Sequence, residues 1–252
     1  MRYLLLFLLF FANSVQAGYA LYDYGRQEYL DKQETEEVRS IASITKLFTA
    51  LTVIRSNTDL ERKVEIHCQS RGHLQKGTEL TIRDLLVAAM VASDNCAAET
   101  LANTYTGGFS AFIFDRNQLI INMGLKHTKL HDATGLSVFN TSTISDLIVF
   151  GSIAYQNQIL RSIANLPEAT LTMWRKGRII NLSIKNTNPA LFNHSDIALS
   201  KTGTTNAAGK CVLMVVKRFE VLYAVVVLGE PNLKSRTKKV EKLLAYNETT
   251  TR

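Results

Sequence analysis

The sequence predicts an α+β fold: an antiparallel sheet flanked by helices, with an inserted all-helical subdomain. Two observations carry this. Segments of strand character stand near both ends of the chain, at 20–33 and again over 171–230. The first strands are therefore expected to pair with the last. The stretch between them, about 76–156, reads mostly as helix.

ALYDYGRQEYLDKQ (20–33) alternates and turns at Gly25, which predicts a β-hairpin. Ile44, Leu47, Phe48, Leu51 and Ile54 then recur at helical spacing over 43–55, and that helix ends before SNTD. LERKVEI (60–66) is a short strand. From Thr81 to Thr104 the chain is helical, as TIRDLLVAAMVA and CAAETLANTY, with a break at Ser93-Asp94-Asn95. Further helices are expected at 109–123 and 143–156, separated by GLKHTKLHDATGLSVFN (124–140), a polar loop with two glycines and no clear period.

LTMWRKGRIINLSI (171–184) predicts a hairpin about Lys176-Gly177. DIALSKTGTT, AGKCVLMVVKR and VLYAVVVLGE follow as strands, and a basic helix over 234–246 closes the chain. The α/β part is expected over 18–75 and 157–252, with the helical insertion at about 76–156.

The first residues, MRYLLLFLLFFANSVQA, join a positive charge at Arg2 to an apolar run from Tyr3 to Ala12. That run is half the length of a membrane span, which needs about 20 residues. Val15-Gln16-Ala17 offers small residues at a cleavage site, so residues 1–17 are read as a cleaved secretion signal. The mature chain is expected to start near Gly18, to carry no integral membrane segment and to work in the periplasm. Net charge is +7 before that cleavage, and part of the excess lies in LKSRTKKVEKLL (233–244). Such a face can sit against an anionic polymer or membrane surface; a solvated helix is the plainer reading. No nucleic-acid partner is expected.

There are three cysteines, Cys68, Cys96 and Cys211, which permit one disulfide at most. Cys96 lies in an Ala-rich helical stretch and Cys211 opens an apolar strand, so both read as small core residues and all three as unpaired. The five histidines are scattered, and neither Cys-x-x-Cys nor His-Glu-x-x-His occurs, so no metal site is expected.

Ser43 and Lys46 stand three residues apart at the start of a helix. A neutral serine hydroxyl is a poor nucleophile and needs a base within hydrogen-bond reach. Positions i and i+3 share a helix face, so Lys46 can reach the Ser43 oxygen. The lysine must be neutral to accept a proton, at a cost of roughly 4.6 kcal/mol from its reference pKa. Desolvation and a second nearby cation would lower that cost. The same Ser-x-x-Lys spacing recurs at Ser235 and Lys238, where nothing recommends it, so the pair alone proves little.

Two further triplets answer the demand. At Ser93-Asp94-Asn95, Ser93 can relay a proton and Asn95 can hold a substrate amide, although all three are common helix-start residues. At Lys201-Thr202-Gly203, Lys201 supplies the second cation and Gly203 permits close backbone approach. The hydroxyls of Thr202 and Thr204 are candidates for a substrate carboxylate, and an extended substrate can pair with the strand.

In this order the three motifs are those of class A β-lactamases and penicillin-binding proteins. The chain resembles the serine D-alanyl-D-alanine peptidases, the low-molecular-mass penicillin-binding proteins. RSIASITKLFTA resembles their nucleophile helix, GTELTIRDLLVAAMVASDNCAAETLA their central helices and SKTGTTNAAGKC their active-site strand. NMGLKHTKLHDATGLSVFNTSTISDL and TNAAGKC point towards the penicillin-binding protein 7 type of D-alanyl-D-alanine endopeptidase.

The resemblance implies the β-lactamase-like fold and an acyl-enzyme on Ser43, with Lys46 as base. Ser93 and Lys201 complete proton transfer and electrostatics, and Asn95 positions the substrate. The backbone N–H groups of Ser43 and Thr204 would form the oxyanion hole. No cofactor is implied. The expected partners are peptidoglycan peptides, with β-lactams as covalent inhibitors.

Relatives with a C-terminal β-domain and anchoring amphipathic helix extend further beyond the active-site strand, so a soluble or loosely associated protein is expected. Glu168-Ala-Thr-Leu171 continues with Thr172 where class A β-lactamases have Asn, which argues against a deacylating glutamate. A β-lactamase or esterase on the same scaffold and a non-catalytic β-lactam or muropeptide sensor are the alternatives. Carboxypeptidase and endopeptidase are not separated by the sequence.

Overall fold

The computed structural model describes residues 16–68 and 74–246. All but the last two residues of the proposed secretion signal lie outside that range. The amino-terminal elements are strands β1 (Gly18–Asp23), β2 (Glu28–Gln33) and β3 (Arg39–Ser40), then helix α1 (Thr45–Arg55) and strands β4 (Lys63–Glu65) and β5 (Glu79–Thr81). Helices α2 (Ile82–Val91), α3 (Asn95–Asn103) and α4 (Gly108–Asn122) follow, then β6 (Thr141–Ser142), α5 (Ile144–Gln156) and α6 (Gln158–Ala164). The carboxy-terminal part holds β7 (Glu168–Arg175), β8 (Arg178–Lys185), β9 (Ile197–Thr205), β10 (Gly209–Arg218), β11 (Val221–Glu230) and α7 (Leu233–Leu244).

The main sheet is antiparallel, in the order β2-β1-β11-β10-β9. The predicted closure is present: β1 pairs with β11 from Gly18 opposite Leu228 to Asp23 opposite Tyr223. Both faces of this sheet are covered, which is why CVLMVV and AVVV read as unbroken apolar runs. Val212, Met214, Val216, Val225 and Val227 pack with Val240, Leu243 and Leu244 of α7. The alternate residues, Leu213, Val215, Ala224 and Val226, join the larger core that includes Leu47, Phe48 and Leu51 of α1.

The β7–β8 hairpin does not join that sheet. It forms a second one in the order β4-β5-β7-β8, whose edge strand leaves Ile179 and Ile180 exposed. Alternation shows that a strand has two faces and not which sheet it enters. Helix α6 was absent from the sequence reading. It is short, and Asn157 both ends α5 and caps α6, accepting from Leu160 N at 2.9 Å.

The three cysteines are not all unpaired, contrary to the sequence reading. Cys68 and Cys96 form a disulfide with Cα atoms 5.7 Å apart, and only Cys211 is a buried free thiol. Cys96 is indeed buried on α3; what the chain order hid is that the segment after β4 returns beside it.

The polar loop at 124–140 is held against the start of the nucleophile segment. β3 pairs with β6, setting Arg39 opposite Ser142 and Ser40 opposite Thr141, and Ile41 N donates to Asn140 O at 2.9 Å. This clip decides where the loop lies relative to Ser43.

Candidate active site

Ser43 sits in a 3-10 turn, Ala42–Ile44, that leads into α1, rather than in the α-helix that the spacing predicted. The chain enters the turn through Ala42 in the left-handed region, at φ +46°. Lys46, one residue into α1, is fully buried. Its amine lies 2.9 Å from Ser43 Oγ, 2.7 Å from Asn95 Oδ1 and 2.6 Å from the Thr134 carbonyl oxygen.

Ser93-Asp94-Asn95 is the break between α2 and α3. Asp94 caps α3 by accepting from Ala97 N at 2.9 Å, and Ser93 takes the left-handed φ of +56° that turns the chain there. Non-glycine residues in that region cost on the order of 1 kcal/mol or more and tend to mark functional sites. The turn brings the Ser93 hydroxyl to Lys201, whose amine donates to Ser93 Oγ at 2.8 Å and to the Thr202 carbonyl at 3.1 Å. Lys201 lies on β9, an edge of the main sheet.

Burial dominates the electrostatics. It lowers the Lys46 amine from 10.5 to about 7, while the Asp94 and Asp132 carboxylates pull the other way. Burial also pushes Lys201 well below 10.5, and the Lys46 and Arg236 cations push it further. A second buried lysine therefore stands beside Lys46, as the sequence reading asked. Its repulsion appears on Lys201, while burial is what lowers Lys46.

Two glycines grip the nucleophile turn. A Cβ on Gly203 would lie 2.7 Å from Ile41 O and 3.0 Å from Ser43 N. A Cβ on Gly135, where φ is +88°, would lie 2.0 Å from Ala42 O and 2.7 Å from Ser43 N. Both positions need a hydrogen in place of a side chain for the Ala42–Ser43 peptide to sit where it does.

A family model described as D-alanyl-D-alanine carboxypeptidase matches residues 12–232. The chain belongs to the D-alanyl-D-alanine carboxypeptidase family. A D-alanyl-D-alanine endopeptidase of Pseudomonas aeruginosa is 34% identical over 200 residues, which is 76% of this chain and 64% of that protein. The chain thus spans somewhat less than two thirds of that relative. The crystal structure of the Streptomyces K15 DD-transpeptidase superposes with a TM-score of 0.84 at 28% identity, covering 90% of this chain and 94% of that one. Penicillin-binding protein D2 from Listeria monocytogenes, in a cefotaxime-bound form, gives 0.78 at 25% identity, covering 90% and 94%. The predicted fold class is that of these family structures.

The residues singled out from the sequence fall unevenly within this candidate site. Ser43, Lys46 and Asn95 meet at one amine, Ser93 and Lys201 meet at the other, and Gly203 backs the nucleophile turn. Thr202 is nearly buried and shares its hydroxyl with Thr187 at 2.5 Å, so Thr204 is the threonine open to solvent. Glu168 is an exposed residue at the start of β7, opposite Lys185. The sequence reading missed the 132–135 segment, which supplies the third partner of Lys46. Its signal was Asp-Ala-Thr-Gly, an Asp followed three residues later by a glycine in a turn.

Proposed function

We propose that this chain is a serine peptidase that cuts D-alanyl peptide bonds of peptidoglycan through an acyl-enzyme on Ser43. The observation that carries the reading is the buried Lys46 amine, 2.9 Å from Ser43 Oγ and lowered to about 7. It is a base poised near neutral pH beside a half-buried hydroxyl.

As Ser43 Oγ bonds to the carbonyl carbon, its proton passes to the Lys46 lone pair and the carbonyl electrons move onto oxygen. The backbone N–H groups of Ser43 and Thr204 are assigned to that oxyanion. When the C–N bond breaks, the Ser93 hydroxyl protonates the leaving amine and is reprotonated from the lysine pair. Asn95, through its side-chain amide, positions the substrate, and Thr204 is the candidate for its carboxylate. Water then attacks the ester and gives a proton to Lys46; the acyl C–Oγ bond breaks, Lys46 passes that proton to Ser43 Oγ, and the peptide leaves with a free carboxyl group.

Cleavage at cross-links is favoured over removal of a terminal D-alanine by the 34% identity to an endopeptidase. β-Lactams are expected to acylate Ser43 and stay, since Glu168 lies on an exposed strand. A peptidoglycan substrate favours a location outside the cytoplasm, and the periplasm is the compartment proposed here. No helix among the described residues is long and apolar enough to cross a membrane.

Digestion of purified cross-linked muropeptides tests this. Dimers should become monomers with wild type and persist with Ser43→Ala. Loss of terminal D-alanine alone would reassign the protein as a carboxypeptidase. No cleavage of either bond by wild type would overturn the reading.

A further inference from the structure

Among the described residues Lys46 has three hydrogen-bond partners, and their chemistry is unequal. Asn95 Oδ1 and the Thr134 carbonyl oxygen can only accept, at 2.7 and 2.6 Å, whereas Ser43 Oγ also carries a proton. A neutral amine has two N–H bonds and one lone pair. With both N–H bonds taken by the two obligate acceptors, the lone pair is left facing the Ser43 hydroxyl. The Thr134 carbonyl is therefore half of what aims the base, and its direction depends on the loop that carries it.

One carboxylate organises that loop. Asp132 Oδ1 accepts from Thr134 N at 2.7 Å, Gly135 N at 2.6 Å and Thr134 Oγ1 at 3.0 Å. Its Oδ2 accepts from Ser137 N at 2.7 Å and Asn140 Nδ2 at 3.1 Å. These bonds hold the Asp132 carboxyl below its ordinary value against the opposing effect of burial. Beneath the loop, the fully buried Arg116 of α4 donates to the Leu130 and Asp132 carbonyls at 2.6 and 2.7 Å. The loop also carries Gly135 against the Ala42–Ser43 peptide, so it touches the base and the nucleophile's backbone together.

We infer that Asp132 is a positioning residue for catalysis: by fixing the Thr134 carbonyl, it aims the Lys46 lone pair at Ser43. Asp132 touches no reacting atom. The inference rests on the acyl-enzyme reading above. An Asn at 132 cannot replace the carboxylate, because each of the two oxygens accepts from a backbone N–H and one of the two side-chain atoms would be an NH₂ group. The charges facing Lys46 are Asp94, Asp132 and Lys201, and Asp132 favours the protonated amine. Removing its charge therefore moves the Lys46 titration downward, while losing its hydrogen bonds misaligns the base.

The test follows acylation by a fluorescent penicillin from pH 5 to 10 for wild type, Asp132→Asn and Thr134→Val. Each rate is divided by the folded fraction from circular dichroism. Asp132→Asn should lower the high-pH plateau at least tenfold and shift the midpoint of the acid limb to lower pH. Thr134→Val keeps the carbonyl but loses the hydroxyl's bond to Asp132 and the one it accepts from Leu136 N, and should lower the plateau severalfold with the midpoint unmoved. If Asp132→Asn does not fold, Thr134→Val decides. A plateau within twofold of wild type in the folded variants overturns the inference. Absence of labelling in wild type would instead overturn the acyl-enzyme reading itself.

Discussion

The Lys46 amine stands 2.9 Å from the Ser43 hydroxyl oxygen, inside a site where burial has lowered its proton affinity to about 7. A base must be deprotonated to act, so the second-order rate of Ser43 acylation should rise tenfold per pH unit at acid pH and level off above about 7. Rates with a chromogenic β-lactam across pH 5 to 10 check this. A midpoint near 10 would mean that Lys46 titrates as an ordinary lysine.

The same lowering has a consequence for stability. A lysine that binds its proton less tightly when folded makes stability rise with pH between the folded value near 7 and the ordinary 10.5. Below that window it costs the fold up to roughly 5 kcal/mol. Lys46→Met removes the cost but leaves acceptors unpaired, a penalty independent of pH in this range. Denaturant unfolding should show Lys46→Met gaining several kcal/mol on wild type between pH 10 and pH 6. A difference that stays flat with pH would contradict this.

Much of the fold was legible because its elements declare themselves locally. The hairpins at Gly25 and Lys176-Gly177, the break at Ser93, and the late strands rest on turn residues and periodicity, which act within a few residues. The placement of β7 and β8 in a second sheet, and of Cys68 beside Cys96, depends on contacts distant in sequence that no local pattern encodes. The site divides the same way. Ser43, Lys46, Ser93 and Lys201 are chemically conspicuous, while Thr134 contributes a backbone carbonyl, which every residue possesses.

Gly135→Ala should be far more damaging than Gly177→Ala, although both glycines have positive φ, at +88° and +73°. A Cβ at 177 meets nothing within 4 Å and should cost only about 1 kcal/mol of backbone strain, with acylation unchanged. A Cβ at 135 collides with Ala42 O and should reduce acylation at least a hundredfold. Penicillin labelling beside thermal melts of both variants separates strain from displacement of the nucleophile; equal labelling would contradict the gripping role.

The Cys68–Cys96 disulfide, with a sequence separation of 28, closes a loop worth roughly 3.5 kcal/mol in the chain-entropy model. Reduction, or Cys96→Ala, should lower unfolding free energy by about that amount. Cys211→Ala closes no loop and should not change the response to reductant. Urea unfolding with and without dithiothreitol checks this, and a reductant-insensitive wild type would contradict the pairing.

During turnover Ser43 is expected to become an ester. Intact-mass spectrometry of the mature protein incubated with benzylpenicillin, followed by peptide mapping, checks this. One added penicilloyl mass, located on the peptide carrying Ser43 and absent from Ser43→Ala, is the predicted result. An adduct on another residue, or an unmodified wild type, would contradict it.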